Sequence, residues 1–118
     1  MGAHDFTTAE RGKNAQTAYR AACEEATAEY GRDPYSGTIA TTNGVVELPA
    51  ERFAGLDRKK RFAILQGIAL GHEPKLRGKA KDVFDQLRRQ YGEAEKWGSC
   101  YAVRLKVGTY AFCGWAAS

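Results

Sequence analysis

From Cys100 onward the chain alternates apolar and polar or small residues around a two-residue step, Val107-Gly108. That period of two, broken by one glycine-containing turn, predicts a β-hairpin whose second strand runs almost to Ser118. With a two-residue turn, Leu105 opposes Tyr110 and Val103 opposes Phe112 on the apolar face. Cys100, Ala102, Arg104, Ala111, Cys113 and Trp115 take the other, semi-polar face, because a slip of one residue would exchange the two. The final residues are then expected in the core.

Upstream the period changes to 3.6. Ala15, Ala18, Tyr19, Ala22, Cys23, Ala26 and Tyr30 recur at helical spacing, with Asn14 as N-cap and Gly31 as terminator. The stripe is mostly alanine, so whatever packs on it comes close. Asp57 caps a second helix to about Leu70, with Phe62, Leu65, Ile68 and Ala69 inward and Gly71 beyond its end. Ala80, Val83, Phe84, Leu87 and Tyr91 mark a third, closed by Gly92. Between the first two, Thr38–Thr42 and Val45–Leu48 flank Asn43-Gly44, a strong hairpin signal. Residues 1–13 carry no period and are expected as a flexible N-terminal arm, leaving residues 14–118 as a single compact domain. The expected class is α+β: an antiparallel sheet of two β-hairpins packed on its apolar side against about three helices, in the order α-β-β-α-α-β-β.

Composition adds bounds. At 118 residues, 43% apolar and 27% charged, the chain is ordinary for one globular domain. No apolar run approaches the roughly 20 residues of a membrane helix, and Met1–Phe6 lacks the features of a signal peptide. No membrane partner and a cytoplasmic location are the expectation. Three cysteines, Cys23, Cys100 and Cys113, without a CxxC pair argue for reduced thiols rather than a disulfide scaffold or zinc site.

Candidate chemistry is sparse. His4 and His72 lack metal-ligand spacing, no nucleophile-elbow, P-loop, HExxH or GxGxxG motif occurs, and no cofactor or metal is expected. Pairing of Cys100 or Cys113 with His72 would make a small thiol enzyme, but a small residue filling a strand face is far commoner. The carboxylate pairs Glu24-Glu25 and Asp82 with Asp85 read as solvated helix surface. The chain is therefore read as a non-enzyme. Basic residues are more suggestive: Arg58, Lys59, Lys60 and Arg61 open the second helix, and Lys75, Arg77 and Lys79 follow in the next loop. Positive charge at a helix N-terminus opposes the macrodipole, a small cost that hints at a use on phosphates or an acidic partner. A solvated face beside Asp57 is the competing reading. Tyr35, between Pro34 and Gly37 on a tight loop, is the other candidate contact, set against a role as a lid over the core.

Two strings occur together. Tyr30-Gly31-Arg32-Asp33-Pro34-Tyr35-Ser36-Gly37-Thr38-Ile39-Ala40 follows the alanine-rich helix, and Lys96-Trp97-Gly98 and Phe112-Cys113-Gly114-Trp115-Ala116-Ala117-Ser118 close the chain. The chain thereby resembles a group of small phage and prophage proteins that pair a YGxxxYxGTIA segment with a terminal FxGWAxS. Cys113 departs from the aromatic residue common at that place. The resemblance supplies no catalytic residues. It implies a setting, in which small phage proteins bind a host protein, host-defence inhibitors of the anti-CRISPR kind among them.

The reading is a phage-type accessory protein that binds and inhibits a host defence complex by direct contact, in the cytoplasm of a host cell. Its expected partner is a host protein or ribonucleoprotein complex, met through Tyr35, Arg58, Lys59, Lys60, Arg61, Lys75, Arg77 and Lys79. The alternative is a nucleic-acid binder without sequence preference, although helix-turn-helix spacing and an aromatic RNA-binding strand motif are missing. The sequence does not specify an oligomeric state.

Overall fold

A computed structural model describes residues 2–95 and 97–118; Met1, from the expected arm, and Lys96, from the string before Trp97, lie outside the described residues. Four strands form one mixed sheet in the order β1-β4-β3-β2. Strand β4 (Thr109–Ala117) lies between β1 (Ala3–Arg11) and β3 (Cys100–Lys106), antiparallel to both, and β2 (Val45–Glu47) runs parallel to β3. Helix α1 (Ala15–Tyr30) covers one face, and α2 (Arg58–Leu70) with α3 (Gly78–Gln90) covers the other. The class is α+β, as the periodicities predict.

Local chemistry explains the helices. The Asn14 side chain accepts from the Thr17 amide at 2.8 Å and Asp57 from the Lys60 amide at 2.9 Å, each satisfying an orphan donor of a first turn. Gly71 sits in the left-handed region (φ 76°), and its amide and that of His72 both donate to the Gly67 carbonyl, closing α2.

The structure corrects four expectations. Residues 3–11, expected within a flexible arm, form β1, paired with β4 along their whole length. Alternation in β1 is faint because it is an edge strand with only Phe6 as a large apolar residue, so its pairing partner, not its pattern, holds it in the sheet. The Asn43-Gly44 hairpin does not form. Thr38 caps a short 3-10 turn at Ile39–Thr41, and Thr41 and Thr42 bond back to the Thr38 and Ile39 carbonyls, so the segment before Asn43 curls instead of extending. The strand after it joins β3 in parallel, with Cys100 donating to Gly44 and Leu48 donating to Ala102.

The third correction is register. Val107-Gly108 is the turn, and Lys106 pairs with Thr109, but Arg104 pairs with Tyr110, so Leu105 is an extra residue in a bulge. Beyond it every pair shifts by one: Val103 opposes Ala111 and Ala102 opposes Phe112. Fourth, helices cover both faces and not one. Val103, Leu105, Ala111 and Cys113 face α2 and α3 in a core with Phe53, Ile64, Leu65, Phe84 and Leu87. Cys100, Ala102, Tyr110 and Phe112 face Ala15, Ala18, Tyr19 and Ala22 of α1.

Candidate binding surface

The α2–α3 connection decides where the basic residues meet. A Cβ at Gly67 would lie 2.6 Å from the Phe84 ring and 2.8 Å from Pro74, so α2, α3 and the loop between them come close there. Leu76, half-buried against the core, anchors that loop and leaves Lys75 and Arg77 exposed on either side. The loop thus returns beside the first turns of α2. The result is an open groove of about 320 Å³ lined by Asp57, Lys59, Lys60, Ala63, Lys75, Leu76, Arg77 and Ala80.

The eight candidates therefore separate. Lys59, Lys60, Lys75 and Arg77 share the groove, are exposed, and make no ion pair or hydrogen bond through their side chains among the described residues. Arg61 does not belong with them. Its guanidinium donates to three carbonyls, Leu56 at 2.9 Å, Phe53 at 2.9 Å and Arg104 at 2.6 Å, pinning α2 to the preceding turn and to β3. Lys79 likewise donates to the Ala54 carbonyl. Arg58 lies over the Phe62 ring, 5.2 Å from its centroid, at the edge of a neighbouring groove.

Tyr35 is elsewhere. Asp33 accepts from the Tyr35 amide at 2.9 Å, shaping the loop, and the Tyr35 ring meets Trp97 edge-on at 5.5 Å. Both rings remain about two-fifths exposed, at 40% and 43%. Trp97 holds φ at 69°, a strained value for a bulky side chain. The pair is an exposed aromatic step that the sequence did not announce, since Tyr35 and Trp97 lie far apart in the chain and in separate strings.

The thiols are not placed for catalysis. Cys100 and Cys113 lie on opposite faces of the sheet, fully buried, and burial pushes their thiols up to about 12 and about 11. Cys23 is raised for the same reason. All three stay protonated near neutrality, which disfavours nucleophilic attack. His72 lies exposed just after α2. Glu25 does not face Glu24 but Glu10 of β1, whose hydrogen bond and charge push the Glu25 carboxyl up. The sequence hides that pair because residues 1–13 carry no period that would place Glu10 beside α1. Asp85 is bonded to Lys81 at 3.0 Å.

Among the described residues no group of three or more His, Cys, Asp and Glu side chains is arranged to hold a metal ion, and no helix is long and apolar enough to cross a membrane. No protein-family model matches the chain, and neither does any curated protein or solved structure.

Proposed function

We propose that this chain is a non-catalytic binding protein that docks an acidic surface of a protein partner in the groove between α2 and the α2–α3 loop. The observation that carries the reading is the gathering of Lys59, Lys60, Lys75 and Arg77 around one groove, with no side-chain partner among the described residues. Four like charges held together repel one another, and an acidic partner surface would relieve what salt leaves unscreened. Ala63, Leu76 and Ala80 give the groove an apolar floor and Asp57 a carboxylate, a mixed lining better matched to a protein surface than to a phosphate backbone.

Combined with the resemblance to phage accessory proteins, the reading becomes an anti-CRISPR-like inhibitor that occludes a surface of a host defence complex. Neutralising phosphates would make log affinity fall by nearly one unit per contact for each unit of log salt. Affinity capture from a host lysate, with and without nuclease, followed by a salt titration of the purified complex, tests the choice. A protein partner retained after nuclease, with a shallow salt slope, supports docking on protein. Loss on nuclease treatment with a slope of about −4, the value for four phosphate contacts, contradicts it and selects nucleic-acid binding.

A further inference from the structure

The opposite side of the molecule carries a second groove with a different character. Strand β1 ends the sheet on one side and pairs only with β4. Gly2 and Ser118 exchange both backbone hydrogen bonds, so by alternation His4, Phe6, Thr8 and Glu10 bond to β4. Ala3, Asp5, Thr7 and Ala9 turn their amides and carbonyls outward. The Arg11 amide, which donates to the Glu10 side chain at 2.9 Å, points the same way. This edge has nine residues without proline, lysine or bulge, and its charged side chains are Asp5 and, at the far end, Glu10 and Arg11. The other edge, β2, has three residues.

Beside the open edge lies a cavity of about 260 Å³ between β1, one stripe of α1 running from Ala22 to Tyr30, and the segment Gly37-Thr38-Ile39. Phe6 and Thr8 contribute from β1, and Glu25, Ala26, Glu29 and Tyr30 from α1; among the described residues no lysine or arginine lines it. Glu10 adds a third carboxylate against Glu25. A strand laid against β1 would sit about 4.8 Å away and send alternate side chains into this space.

We propose that the β1–α1 groove binds an extended, basic peptide segment by strand addition. The outward amides and carbonyls of β1 supply the main-chain bonds. Lysine or arginine side chains at alternate positions meet Glu25, Glu29 and Glu10, and apolar side chains meet Phe6 and Ala26. A second copy of this chain is a poorer occupant, because pairing two β1 strands would bring two acidic α1 stripes together on one side of the joined sheet. The site is independent of the basic groove, which lies on the α2 side.

The test is fluorescence anisotropy of the full chain with a labelled nonapeptide, Thr-Val-Thr-Lys-Thr-Val-Thr-Lys-Thr. Saturable binding is expected, and N-methylation of alternate peptide amides in one of the two phases weakens it by about tenfold or more. Replacing both peptide lysines by glutamate weakens it similarly, and the chain variant Glu25→Lys/Glu29→Lys reverses that preference. Ala9→Pro, which removes one outward amide at an exposed edge position, also weakens binding. Reversal of Lys59 and Lys75 leaves it unchanged, which separates this site from the basic groove. The proposal is overturned by absence of saturable binding, by equal binding of both N-methylated peptides, or by a dimer whose outward β1 amides are protected from exchange.

Discussion

The two faces of the sheet are filled by opposite means. Under α1 the sheet supplies most of the bulk, with Tyr110 and Phe112 projecting toward Ala15, Ala18 and Ala22 and Tyr19 the one large buried side chain from the helix. Under α2 and α3 the helices and the preceding turn supply it, with Phe53, Leu65, Phe84 and Leu87 packed on Ala111, Cys113 and Val103. Volume therefore sets the register. Without the Leu105 bulge, Phe112 would move into a face already full and small residues would lie beneath an alanine helix, giving overpacking on one side and a void on the other. The outer surfaces diverge too: α1 borders a groove with carboxylates and α2 a groove with unpartnered cations.

Removing Trp115 to Ser118 should break the comparison altogether. It deletes the β4 partners of Ala3, His4 and Asp5, and with them the Ala117 bonds to Gly37 and Thr41. The loss is comparable to the whole stability of a small domain, about 5–15 kcal/mol. Calorimetry should show no cooperative transition; an unchanged melting temperature would refute the central place of β4. Phe112→Ala tests the α1 face alone. It removes the ring that packs on Tyr19 at 6.2 Å and on the alanines of α1, so chemical denaturation should show a loss of about 3–5 kcal/mol. A loss below about 1 kcal/mol would mean that Phe112 is not the filler of that face.

Arg61→Ala sharpens the α2 side, and a loss of about 1.5–3 kcal/mol is expected as three carbonyls lose a charged donor. Arg61→Lys should recover little, because an ammonium cannot span the three acceptors of the planar fork. Full rescue by lysine would make Arg61 a generic cation.

Alkali probes both faces together. Cys100 and Cys113 titrate near 9.0 when unfolded and are pushed up to about 12 and about 11 when folded. Both thiols are neutral in either state below pH 9, so their share of stability is intact there. As pH rises beyond that value only the unfolded thiols ionise, at about 1.4 kcal/mol per unit for each. Urea unfolding at pH 8, 9 and 10 should show the decline, with Cys100→Ala removing the α1-side share and Cys113→Ala the other. A flat profile would place the thiols in water.

Much of this was legible in the chain. Asn14, Asp57, Gly31 and Gly71 mark helix ends by side-chain capping and backbone freedom, which are local effects. The Val107-Gly108 turn is local as well. The bulge was not legible, because inserting Leu105 costs nothing in pattern and is selected by packing volumes distant in sequence. Asn43-Gly44 misled because the threonines before it satisfy their own backbone. Nor could sequence separate Arg61 and Lys79 from Lys59, Lys60, Lys75 and Arg77. The first two reach carbonyls that only the folded turn at residues 53–56 presents, while the other four converge because α3 returns along α2 at Gly67.

The claim that the unpartnered cations bind and do not fold is tested most directly by Lys59→Glu, Lys60→Glu, Lys75→Glu and Arg77→Glu combined, leaving Arg61 and Lys79 in place. Each exposed change should move stability by only about 0.5 kcal/mol, and acids near the start of α2 favour its macrodipole. The prediction is a folded protein with a near-native melting temperature that no longer binds the acidic protein partner proposed for the groove. A quadruple variant that is folded and fully active would contradict the account.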